Sequence, residues 1–223
     1  MAVMGQGTDS VRALRALEDG RASVRLRAAM AVGTEPDPCF VDMLVERSGV
    51  EPEFFVRDML TWALTRHPVS LTLPALLRET RSERPQARSQ ALHTLSKIGD
   101  RRGWSAMTPA LLADVDEEVA RSAWRTAVVL VPEGEVGALA AALAAQLGRG
   151  GREAQVSLSR ALVDLGEVTE VALHAAATAP DPRVRAHALA TLRLLRDPDT
   201  GFDFAIDEAK RVVALGGASH EGP

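Results

Sequence analysis

Six stretches of this chain align on one pattern: ASVRLRAAMAVG (22–33), FFVRDMLTWAL (54–64), PQARSQALHTLSKIG (85–99), EVARSAWRTAVVL (118–130), EAQVSLSRALVDLG (153–166) and PRVRAHALATLRLL (182–195). Their anchors, Arg25, Arg57, Arg88, Arg121, Gln155 and Arg185, follow one another at intervals of 32, 31, 33, 34 and 30 residues. Self-similarity at one period of this length marks a repeat architecture, in which each unit hides its apolar face only against its neighbours.

Each copy places an apolar or small residue just before its anchor and again three, six and seven positions after it, the spacing of one helix face. Turn chemistry precedes each copy: EDGR, GVEP, SERP, DVDEE, GRGG and PDPR. Upstream of the turns lie further apolar-periodic segments, among them CFVDMLVER, LTLPALLRE, SAMTPALLAD and EVTEVALHAAA. The unit is therefore a pair of antiparallel helices, and stacking such pairs gives an elongated superhelical rod. Alanine, leucine and arginine are strong helix formers, while aromatic residues make up 4% and tyrosine is absent, so strands are expected to be few or none.

Second helices of the DPRVRAHALATL type, with first helices containing LPALL and TPALL, resemble HEAT repeats of the short bacterial kind that also occurs in phycobilisome-lyase-like proteins. The resemblance runs from about Asp9 to Leu195. It implies an all-α, right-handed α-solenoid of about six helix pairs, over 9–34, 37–66, 70–99, 104–131, 134–166 and 167–196. A capping helix is expected at 200–215, where acids come first and Lys210 and Arg211 last, in keeping with the helix dipole. Phe202, Phe204, Ile206, Val212 and Leu215 are expected to cover the last repeat. The whole reads as one domain, 9–217, between an N-terminal tail (1–8) and a disordered tail (218–223).

The acid that lies four to six residues before the arginine in five copies, Asp19, Glu53, Glu83, Asp116 and Asp181, is lost together with the arginine in the fifth. That joint loss predicts a structural ladder of ion pairs, with Arg25, Arg57, Arg88, Arg121 and Arg185 as the cations. Glu153 sits near the fifth copy at a different offset.

Chemistry-bearing motifs are missing. There is no GxxxxGK[ST], HExxH, CxxC or GxSxG. The five histidines lack metal-ligand spacing, so no metal is assigned. Asp114, Asp116, Glu117 and Glu118 read as a helix cap and solvated turn. Cys39, the one cysteine, reads as a small buried residue and excludes an internal disulfide. The start MAVMGQGTDS lacks a charged n-region and an apolar h-region, which places the chain in the cytoplasm. The longest apolar run, 136–147, is too short to span a bilayer. With 26 basic and 30 acidic residues, the net charge of −4 gives no general attraction for nucleic acid or an anionic membrane. No cofactor is implied by the residues.

What remains is surface. The resemblance implies that second helices line the concave face, and positions one, two, five and nine after each anchor are expected to face outward. They yield a candidate binding set of Met30, Met59, Trp62, Arg66, His93, Lys97, Arg160 and His187, with Met30, Trp62 and His93 in a row. A tryptophan beside methionines and cations has the composition of an interface hot spot. Trp124, three after its anchor, falls on the buried stripe instead.

The leading expectation is a non-enzymatic scaffold or adaptor, regulatory in one form, that holds a protein or peptide partner around Trp62. A second, from resemblance in outline to helical-repeat DNA glycosylases, uses Asp58 and Trp62 one helical turn apart, with Arg27, Arg66, Lys97 and Arg160 toward phosphate. The acidic net charge and sparse aromatics oppose it. A third, also from resemblance, is a lyase or chaperone for a prosthetic group.

Overall fold

The computed structural model describes residues 11–218, with side chains to Leu215. The tail expected at 1–8 and residues 219–223 of the other tail lie outside these. Every regular element among the described residues is helical and none is a strand. After helix α1, described over 11–17, come α2 (Ala22–Thr34), α3 (Val41–Ser48), α4 (Phe54–Arg66), α5 (Val69–Glu79), α6 (Pro85–Ile98), α7 (Pro109–Leu112), α8 (Glu117–Leu130), α9 (Val136–Ala144), α10 (Arg152–Leu165), α11 (Glu170–Ala176), α12 (Pro182–Arg196) and α13 (Phe202–Ala218).

Local chemistry sets these boundaries. Helix α8 starts where Asp116 accepts from the backbone N–H of Glu118 and Val119, and α12 where Asp181 accepts from that of Arg183 with Pro182 at the first helical position. Helix α6 begins on Pro85 and stops at Gly99, whose φ of 69° is the left-handed cap that a side chain resists. Second helices, starting with α2, run 13 to 15 residues, whereas the first helix α7 has only 4 and α11 only 7. The first helices are therefore too short to persist alone and are held by packing.

The chain divides into two compact units, Met1–Ala106 and Met107–Pro223. In unit 1, α2 packs on α4 and α4 on α6, while α3 lies against α4 and α5. Unit 2 repeats the scheme, with α8 on α10, α10 on α12, and α9 against α10 and α11. Each unit thus has a layer of second helices and a layer of first helices over one leucine- and alanine-rich core, a fold of the all-α, helical-repeat solenoid class. Fully buried leucines such as Leu60, Leu64 and Leu92 in unit 1 and Leu143, Leu158 and Leu162 in unit 2 hold the layers. Each contributes on the order of 2 kcal/mol.

Helix α13 covers α12 with Phe202 and Ile206 of the face expected, but not with the rest of it. Ala205, Ile206 and Ala209, with Phe202 and Val213 beside them, close over Ala186 and Ala190. Phe204, Val212 and Leu215 point to solvent. Large side chains at 204, 212 and 215 would hold the two helices apart, whereas alanines at 186, 190, 205 and 209 let them approach closely.

Candidate functional site

The ion-pair ladder is corrected by the structure. Arg57 Nη1 donates to the carbonyls of Glu51 and Pro52, Arg88 Nη1 to those of Ser82 and Glu83, and Arg185 Nη1 to those of Ala179 and Pro180, at 2.7–3.1 Å. Arg25 Nη1 reaches the Asp19 carbonyl at 2.8 Å. The guanidinium thus grips its own turn five and six residues back. The reason is general: the end of each first helix leaves carbonyls without intrahelical donors, and a guanidinium carries several donors and a charge that suits a helix C-terminus.

Three of the expected acids are otherwise engaged. The Asp19 carboxylate accepts from Arg21, whose side-chain and backbone hydrogen bonds hold it at about 2. Asp116 and Asp181 are the helix caps already described. Arg121 does meet carboxylates, but those of Glu153 at 2.9 Å and Glu118 at 3.5 Å.

The acid that Arg25 meets is Glu51, in the following turn and fully buried. Its Oε2 and Oε1 accept from Arg25 Nε and Nη2 at 2.7 Å, Arg47 adds Nε at 3.0 Å, and the Glu53 N–H a further bond at 3.0 Å. Burial alone would push this carboxyl up, but the bonds from Arg25, the Glu53 N–H and Arg47 outweigh it and hold it at about 2. Spacing gave no sign of Glu51, because its partner lies across a repeat boundary.

His187 is the second correction. Expected on the open face, it is fully buried. Its Nδ1 accepts from the Gly148 N–H at 3.0 Å, so the proton sits on Nε2 and is directed at the Gln155 carbonyl at 3.1 Å and Ser159 Oγ at 3.0 Å. Ser159 in turn lies 2.7 Å from Thr191 Oγ1, and the edge of Phe202 closes the ring. Desolvation pushes the imidazole down to about 4, against the opposing hydrogen bond to Gln155. The wider error has one cause. Each of these second helices packs on a neighbouring second helix as well as on a first helix, so Ser89, Ser122, Ala123, Thr126, Ser157, Ala186 and Ala190, all expected outward, are buried too. Cys39, by contrast, is exposed.

The rest of the candidate set lies on the second-helix face of each unit. In unit 1, Met30 on α2 is 47% exposed and Trp62 on α4 40%. Met59 and His93 are half-buried, and Asp58, Arg66 and Lys97 exposed. The indole is anchored rather than loose. A Cβ on Gly33 would fall 2.3 Å from Trp62 Cζ3, so only glycine admits the ring at that point of α2. One edge of Trp62 is packed and the other faces solvent. Trp124, as expected, is buried and donates Nε1–H to the Leu112 carbonyl at 2.8 Å.

In unit 2, Arg160 opens onto a cleft of about 430 Å³ between α8 and α10, shared with Arg121, Arg125, Val129, Arg152 and Asp164. Burial lowers Arg125, with Glu118 opposing and Arg121 adding to the effect. The pattern missed Arg125 because position four after the anchor was not among those expected to face outward. Among the described residues no group of histidine, cysteine and acidic side chains is placed to hold a metal. No helix among them is long and apolar enough to cross a membrane.

The fold defines a protein of the all-α helical-repeat class. No family model matches the chain. No curated protein matches it either. Among solved structures it is similar to an engineered protein of the Northeast Structural Genomics Consortium, at 17% identity and a TM-score of 0.47, over 90% of this chain and 97% of that one. It is also similar to the complex of CpcE and CpcF of phycocyanin lyase from Nostoc sp. PCC7120, at 17% identity and a TM-score of 0.47, over 94% of this chain and 87% of that one.

Proposed function

We propose that this protein is a non-enzymatic, HEAT-type scaffold that holds a protein or peptide partner on the second-helix face around Trp62. The observation that carries the proposal is the indole itself, packed by one edge on Gly33 and 40% exposed. An aromatic held rigid before binding loses little rotamer freedom on binding, and Met30 and Met59 beside it adapt to a partner's shape. Arg66, His93 and Lys97 supply a polar rim.

The test is comparative. Wild-type protein and a Trp62→Ala/Arg66→Glu double variant are each cross-linked in cells and purified. Loss of a partner captured by the wild type supports the assignment, and an identical partner set for both removes it. Retention of duplex DNA that weakens steeply with salt would instead favour the glycosylase-like alternative with Asp58 and Trp62.

A further inference from the structure

A groove of about 830 Å³ in unit 2 lies where α13 crosses the N-terminal ends of α10 and α12, and it shares Arg152 with the α8–α10 cleft. One wall is apolar, built from Phe202, Ile206 and Val213. The volume falls in the range of small-molecule sites.

The charges around that wall do not balance. Four cations line the groove, Arg152, Arg183, Arg185 and Lys210, against two acids, Asp203 and Asp207. Asp203 is held by Arg152, with Nε at 2.6 Å. Asp207 lies 3.7 Å from Lys210 in a pair that is mostly exposed and therefore weak. Arg183 is 4.0 Å from Asp181, outside the groove. The lining is thus left with a surplus of two positive charges in a chain whose net charge is −4. The N-terminal ends of α10 and α12 open onto the same space, the first with Glu117 accepting from the Gly151 N–H and the second capped by Asp181.

The geometry points to a binding site for a small organic anion with an apolar body, its body on Phe202, Ile206 and Val213 and its acidic head toward Arg183 and Lys210. Apolar surface alone would accept a neutral or cationic amphiphile equally well. The surplus charge makes the site selective for the anion. This assignment is independent of any partner on the Trp62 face.

Isothermal titration with dodecanoate tests it, with dodecyltrimethylammonium as the cationic control. Dodecanoate is expected to bind and the ammonium not. Ala214→Trp fills the groove from its exposed side and is expected to abolish binding, and Arg183→Glu/Lys210→Glu to weaken it at least tenfold. Both variants are compared with the wild type by circular dichroism and melting, so that loss of fold is told apart from loss of the site. Absence of dodecanoate binding, equal binding of both amphiphiles, or unchanged affinity in either variant overturns the proposal.

Discussion

Glu51 and Arg25 form a bidentate ion pair, with both N···O distances at 2.7 Å, and it ties the turn before α4 to helix α2. The carboxylate is fully buried and the arginine nearly so. Removing Glu51 therefore strands the buried Arg25 guanidinium, which costs more than the pair is worth as a unit, whereas removing Arg25 leaves Glu51 with Arg47 and the Glu53 N–H.

Glu51→Leu is expected to destabilise the protein by about 3–5 kcal/mol, whereas Glu51→Leu with Arg25→Met recovers much of that loss. Urea denaturation of the two single variants and the double variant closes the cycle. Additive losses would mean that the pair is not coupled.

The same carboxylate makes a pH dependence. Glu51 is held at about 2 in the fold against an ordinary value of 4.5, so its stabilisation is complete above 4.5 and is lost as pH falls toward 2. The full effect is about 3 kcal/mol. The denaturation midpoint of Glu51→Gln is expected to fall less than that of the wild type between pH 5 and 3.

His187 acts in a higher window. The unfolded imidazole takes up a proton below 6.5 and the folded one only below about 4, so stability is complete above 6.5 and declines by about 3 kcal/mol as pH drops to 4. His187→Gln does not titrate, and its midpoint is expected to be flat between pH 6.5 and 4.5. A slope equal to that of the wild type would place the proton elsewhere.

Gly33 and Trp62 compete for one space. Gly33→Ala gains about 1 kcal/mol of helix propensity but drives a methyl into the indole and toward the Ala63 backbone, and the expected net loss is about 1–3 kcal/mol. Trp62→Ala in the same chain is expected to relieve most of it. Thermal melts of the two single variants and the double variant decide.

The carbonyl grip and the ion-pair ladder make different predictions at 53 and 57. Arg57→Met is expected to cost about 1–2 kcal/mol, since two turn carbonyls lose their donor, while Glu53→Gln stays within about 0.5 kcal/mol. Comparable losses in both variants would restore the ladder.

The helices, the turns between them, the α13 cap and the buried Trp124 follow from local rules acting within a dozen residues, namely apolar period, capping acids, prolines and glycines. Those rules are legible because they involve only neighbours in the chain. Trp62 was legible as an exposed aromatic for the same reason. What tertiary structure decided is which atoms meet: that Glu51 rather than Glu53 receives Arg25, that Arg121 meets Glu153 while Arg57, Arg88 and Arg185 reach carbonyls of their own turns, that His187 is enclosed by Gly148, Gln155 and Ser159, and that α13 seats itself through alanines. A single-helix pattern has one buried side, whereas a helix packed between two others has three. The additional buried sides, and the polar partners that desolvation then requires, exist only once the neighbours are in place.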